Sequence, residues 1–236
     1  MPDPNVLLER TGARADIILN RPDRKNAVIG PLAAELAVAI NEASADHSVN
    51  AIVLQGAGGA FCSGLDLKEF RADPPPPWLG SFSELWKAVH LALFRCPKPV
   101  IGALERYAIN GGSSLALGCD LLIAGESAFL QVGEVQMNSA APMNMAWLAI
   151  RHSEAVAARL ALIGDRVPAA ELLRLGVAAE VVPDDQVVTR AHELADTIAA
   201  YPGGAAAKIK TAYRRLGPGA AAEAWFDRGP EPPTRL

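Results

Sequence analysis

Lys98-Pro-Val-Ile-Gly-Ala-Leu-Glu-Arg-Tyr-Ala-Ile-Asn-Gly-Gly-Ser-Ser-Leu-Ala-Leu-Gly-Cys-Asp120 decides how this chain is read. An apolar run leads into a small-residue turn at Asn110-Gly-Gly, then into the helix-like Ser-Ser-Leu-Ala-Leu. The pattern predicts a strand that delivers the chain, through glycine, to a helix N-terminus. Backbone N–H groups at such an end lack intrahelical acceptors, and the helix dipole is positive there. Such an end stabilises an anion. Where the anion develops on a reacting oxygen, the same geometry is an oxyanion hole. Downstream, Gln131-Val-Gly-Glu-Val135 places a carboxylate, Glu134, beside a glycine in an apolar setting, which suits a proton carrier.

Outward from this stretch, strand and helix signals alternate. Ala15–Asn20 and Ala51–Gln55 read as strands, as does Leu121–Ala124. Pro31–Ser44 reads as a helix with Leu32, Leu36 and Ile40 on one face, and Leu79–Phe94 has helical spacing. Phe61–Phe70 is expected to turn into helix, and Asp73–Pro77 to be a proline-rich loop. Alternation of this kind predicts βαβ units with parallel strands. From about Met143 the pattern turns mostly helical. The chain is therefore divided into an α/β core over residues 1–142 and a helical region over 143–236.

Composition narrows the function. The chain has 236 residues, half of them hydrophobic, and a net charge of −4. No basic excess points to nucleic acid or an anionic membrane. The three cysteines show no metal-ligand spacing and are expected to be reduced thiols. No secretory signal is visible, and apolar runs are broken well before the roughly 18 residues of a membrane span. A cytoplasmic protein is expected. Gly56-Ala-Gly-Gly does not complete a dinucleotide fingerprint, and neither a phosphate loop nor a G-x-S-x-G elbow occurs. Ser113 and Ser114 follow a strand, but none of the four histidines lies in a marked motif. Each reads as a surface or helix-face residue, which argues against serine hydrolysis.

Four segments together carry a resemblance. They are Arg21-Pro-Asp-Arg-Lys-Asn-Ala27, Gly59-Ala-Phe-Cys-Ser-Gly-Leu-Asp-Leu-Lys-Glu-Phe70, the Pro97–Asp120 region with Asn110-Gly-Gly, and Gly164-Asp-Arg-Val-Pro-Ala-Ala-Glu-Leu-Leu-Arg-Leu-Gly-Val-Ala-Ala-Glu-Val-Val-Pro183. In that order they resemble the enoyl-CoA hydratase/isomerase (crotonase) family. The resemblance implies an α/β spiral of stacked ββα units followed by a helical trimerisation region. It implies an acyl-CoA thioester as ligand, a homotrimer or dimer of trimers, no metal, and no cofactor beyond the coenzyme A of the substrate. It places the two oxyanion N–H groups on Leu65 and Gly111. Gly64 fits this, because a glycine there allows the tight turn that lets the Leu65 amide face a pocket. It places CoA contacts on Lys25, Ala27, Ser63, Asp66, Leu67 and Lys68.

Departures from the family pattern shape the expected chemistry. Hydratases of the family usually carry a glutamate three residues after the oxyanion glycine, and here that position is Ser114. Glu134 matches the second glutamate. A serine hydroxyl can orient substrate or water but is no base near neutral pH. A lone carboxylate suffices to take a proton from C2 and return it at C4. Isomerisation is therefore expected over hydration, and a catalytically reduced acyl-CoA-binding protein is the second reading. The family's glycine-rich run after the second glutamate is replaced by Asn138–Ala146, so Met143, Met145 and Trp147 are expected to reshape the acyl pocket. The segment Gly229–Leu236 is too rich in proline for the closing helix of the family.

Overall fold

A computed structural model describes residues 3–216 and 219–226. The expected end of the chain at Gly229–Leu236 lies outside them. A six-stranded sheet forms the centre, in the order β1 (Val6–Thr11), β2 (Arg14–Leu19), β3 (Ala51–Gly56), β4 (Val100–Leu104), β6 (Leu121–Gly125) and β9 (Glu180–Val182). β1 and β2 are antiparallel, and every later neighbour is parallel. A second sheet joins β5 (Tyr107–Ile109), β7 (Phe129–Gln131) and β8 (Val167–Pro168). The chain visits both sheets in turn: β4 then β5, β6 then β7. This mixed α/β arrangement carries the loops of interest to one side of the large sheet.

The central strands are buried on both faces, and their sequence shows why. In β3, Ile52 and Leu54 enter one core, while Ala51 and Val53 enter the other. Strands covered on both faces read as continuous apolar runs. The larger core packs α1 (Gly30–Ala45), α3 (Phe82–Arg95), α4 (Gly111–Gly118) and α5 (Pro142–Arg151). The smaller core lies under α8 (Val187–Ala199), through Val187, Ala191 and Ala195.

The region after Met143 is helical in α5, α6 (Glu154–Ala161), α7 (Ala169–Arg174), α8 and α9 (Ala205–Leu216). It also returns β8 and β9 to the two sheets, which the sequence pattern does not reveal. Both are very short. β1 and β7 are likewise absent from the sequence reading, whereas β5 is the strand expected to deliver the chain to the start of α4. Between Phe61 and Phe70 only Leu67–Phe70 is helical, here α2. The segment before it is extended, with bridges from Cys62 to Ala108 and from Leu65 to Val28.

Candidate active site

Two loops meet first. Ser63 N donates to Lys25 O at 3.1 Å, Val28 N to Gly64 O at 2.8 Å, and Asp66 N to Val28 O at 3.0 Å. These bonds use the carbonyl before Leu65 and the amide after it, and leave the amide of Leu65 free. Gly64 makes the turn, with φ +89, and a Cβ there would lie 2.7 Å from Ile109 O. Only glycine meets both demands. Asp66 does not offer its carboxylate to a ligand. The side chain is buried, pairs with Arg24 at 2.9 Å and Arg21 at 3.2 Å, and caps α2 through Glu69 N. Its expected role in CoA contact is therefore restricted to its backbone. Lys25 and Lys68 stand exposed at the surface, Ala27 is buried, and Ser63 and Leu67 border the cleft.

The second donor comes from α4. Asn110 takes a left-handed backbone (φ 51), its amide donates to Gln131 O at 2.8 Å, and its Oδ1 accepts from Gly133 N at 2.8 Å. The start of α4 is thereby tied to the loop that carries Glu134. Among the described residues, the amides of Leu65 and Gly111 have no protein acceptor. A Cβ built on Gly111 would lie 3.5 Å from Leu65 Cδ2 and 3.9 Å from Gly64 Cα, so the two donors are neighbours.

Leu65, Gly111, Ser114 and Glu134 line one cleft of about 480 Å³. Phe82 and Trp86 of α3 form an aromatic wall, with ring centroids 6.2 Å apart and nearly parallel planes. Met137 and Met143 add flexible apolar surface. Trp147 corrects the expected acyl pocket: it is fully buried in the core. Met145 is not in the cleft lining either.

Glu134 is the only ionisable side chain that borders the cleft among the described residues. Its Oε1 accepts from Asn144 Nδ2 at 2.7 Å, and its Oε2 is buried without a partner. Burial raises its pKa above the ordinary carboxylate value, against the pull of its own backbone N–H and of Asn144.

Ser114 is held by a one-way chain. Trp147 Nε1 donates to His90 Nδ1 at 2.9 Å, which leaves the other ring nitrogen, Nε2, to carry the proton. His90 Nε2 lies 3.3 Å from Ser114 Oγ, and Ser114 Oγ donates to Gly111 O at 2.8 Å. Burial pushes the His90 pKa down to about 3, so the ring stays neutral. A histidine that donates to a serine cannot take its proton. His90 thus lies on the buried face of α3 rather than at the surface, and the serine is no activated nucleophile.

A slightly larger cavity, about 530 Å³, lies beneath α9. Its charged groups, Lys210, Arg151 and Arg214, are committed to Asp120. Arg151 Nε and Arg214 Nη1 there are buried without a partner, but the unpaired backbone amides and the unpaired carboxylate oxygen are in the smaller cleft.

The sequence pattern described as Enoyl-CoA hydratase/isomerase matches residues 9–223. The chain belongs to this family. Enoyl-CoA hydratase EchA19 of Mycobacterium tuberculosis is 34% identical over 84% of this chain and 75% of its own length. The 1,2-epoxyphenylacetyl-CoA isomerase of Escherichia coli is 33% identical over 79% of this chain and 72% of its own. Among solved structures, an enoyl-CoA hydratase/isomerase from Mycobacterium paratuberculosis superposes with a TM-score of 0.82 at 29% identity, covering 91% of this chain and 86% of that one. The hydratase/isomerase fold thus carries the cleft. Its relatives include both hydratases and an isomerase by name, so family membership alone does not choose the reaction. His90, Asn110 and Asn144 were missed by sequence reasoning. The available signal was one polar residue inside an apolar helical stretch, as in Pro142-Met-Asn-Met-Ala-Trp-Leu148.

Proposed function

We propose that this protein is an acyl-CoA thioester enzyme that moves a double bond by proton transfer, with isomerisation favoured over hydration. One observation carries this: a single ionisable residue, Glu134, shares a cleft with the two unpaired amides of Leu65 and Gly111. In this reading, Glu134 takes a proton from C2 of a 3-enoyl thioester. The electron pair moves onto the thioester oxygen, where the amides of Leu65 and Gly111 stabilise the dienolate. The same carboxyl returns the proton at C4, leaving the double bond between C2 and C3. Addition of water is disfavoured because Ser114 already spends its proton on Gly111 O, and among the described residues no second carboxylate stands opposite Glu134.

Coenzyme A enters as part of the substrate, across the joined loops that hold Lys25, Ala27, Ser63, Asp66, Leu67 and Lys68. A cytoplasmic homotrimer, or a dimer of trimers, is the assembly this reading favours. The exposed Ile209, Tyr213 and Leu216 on α9 support it, as an apolar helix face open to solvent. The test is a panel of 2-enoyl-CoA and 3-enoyl-CoA thioesters, with products followed by mass spectrometry. The expected result is conversion of 3-enoyl to 2-enoyl thioester outpacing hydration, cut by about 10²–10⁴-fold in Glu134→Gln. Efficient hydration without isomerisation would overturn the reaction proposed. Binding of thioesters without any turnover would leave only a binding protein.

A further inference from the structure

We infer that Asn144 is the positioning residue of Glu134: its amide holds Oε1 and so leaves Oε2 as the oxygen that exchanges the proton. The inference rests on the reading of Glu134 as proton carrier. Asn144 is 1% exposed and sits in the first turn of α5, where an amide has no place in an apolar core without partners. Its Nδ2 donates both to Glu134 Oε1 at 2.7 Å and to Asn110 O at 3.1 Å. The orientation of the amide follows from these partners. Turned over, Oδ1 would face a carboxylate oxygen and a carbonyl oxygen, and no donor would remain between them. In this orientation Oδ1 is the buried atom left unpaired.

The two hydrogen bonds of Asn144 have different consequences. The bond to Asn110 O anchors the amide to the residue that starts α4, and therefore to the Gly111 donor. The bond to Glu134 fixes the carboxylate relative to that anchor. One side chain thus sets the proton carrier and the oxyanion donor in a common frame. The two departures from the family pattern become one change. The acid expected at position 114 is a serine turned toward the backbone, and the segment 138–146 supplies a neutral amide to Glu134. No other ionisable side chain faces Glu134 from the 63–67 loop, α3, α4 or α5 across the cleft. His90, behind Ser114, is neutral. Asn144 is therefore the side chain that favours the charged carboxylate against burial.

The experiment is a carbon-13 NMR titration of the glutamate side-chain carboxyls, with the Glu134 resonance assigned by its loss in Glu134→Gln. Asn144→Leu keeps the volume and removes the donor. A hydrogen bond to a charged group is worth enough that its loss should raise the Glu134 midpoint by about one to two pH units. With a thioester that is turned over, kcat at pH 7 should fall about 10²-fold with little change in KM. If Asn144→Leu does not fold, Asn144→Ala removes the same donor without a branched side chain and is read in the same way. An unmoved Glu134 midpoint in a folded variant overturns the inference, even where Glu134→Gln abolishes turnover. A raised midpoint in a protein that turns over no thioester upholds the positioning role and overturns the proposed reaction instead.

Discussion

Gly111 and Gly112 are adjacent and serve different ends. Gly111 supplies an N–H, and a Cβ there meets only ordinary contacts, the nearest being Trp86 Cζ2 at 3.4 Å. Gly111→Ala should therefore keep the donor and most of the rate. Gly111→Pro occupies the first helical position, where proline is compatible with the helix, but removes the N–H. Turnover should drop about 10²–10³-fold, the usual loss for one oxyanion donor, with the far-ultraviolet spectrum unchanged. An active, folded Gly111→Pro would remove Gly111 from the chemistry. The pH profile belongs to this scale too. In the proposed reaction Glu134 acts as a base when deprotonated, and burial raises its pKa. The acid limb of kcat/KM should therefore lie above the ordinary glutamate value of about 4.3, with activity rising as pH increases through it. The turn at Gly64 and the start of α4 at Gly111 were legible in the sequence because glycine marks them locally. Asn144 and His90 were not. Their meaning lies in partners brought close by folding, as Trp147 and His90 are 57 positions apart.

At the scale of elements, α4 is placed by close backbone approach. A Cβ on Gly112 would fall 2.3 Å from Cys62 O, so this glycine is what lets the helix rest on the extended segment before Gly64. Gly112→Ala must push the two apart. We expect a loss of about 1–3 kcal/mol in urea unfolding. We also expect a larger fall in kcat than Gly111→Ala causes, because the two amide donors sit on the two parts displaced. Equal kinetics for the two variants would show that α4 does not need this contact. Long periodic helices such as α1 were readable from their apolar spacing. β7, β8 and β9 were not: two or three residues carry too little alternation, and each is paired to a neighbouring strand brought up by the fold. The bridges of Cys62 and Leu65 likewise extend a segment whose composition suggested helix.

For the whole molecule, Asp120 ties the ends of several elements together. Its Oδ2 accepts from Val100 N at 2.8 Å and from Lys210 Nζ, and its Oδ1 from Arg151 at 2.9 Å. Lys210 also donates to Lys98 O at 2.8 Å. Burial alone would raise the Asp120 pKa, but Lys210, Arg151 and Arg214 outweigh it and hold the carboxyl well below the usual range. A depressed folded pKa contributes stability that is present above the unfolded value of about 3.9 and lost as pH falls further. Stability from this group should therefore be flat near neutrality and fail only in acid. Asp120→Asn leaves buried cations without their counter-charge and should cost about 3–5 kcal/mol at pH 7 by urea unfolding. A neutral substitution would show that the cluster is not what docks α9.

This cluster also bears on how the chain is born. Asp120 and Lys210 are 90 positions apart. At a synthesis rate of about 5–20 residues per second, the ribosome makes Asp120 about 5–18 s before its partner. For the first part of that interval, until Glu180–Val182 are made, β6 also lacks β9, its neighbour in the finished sheet. The nascent protein therefore presents an open strand edge and a carboxylate with no counter-charge from α9. A transcript cut short in this window would yield a chain prone to pair edge to edge with its own kind.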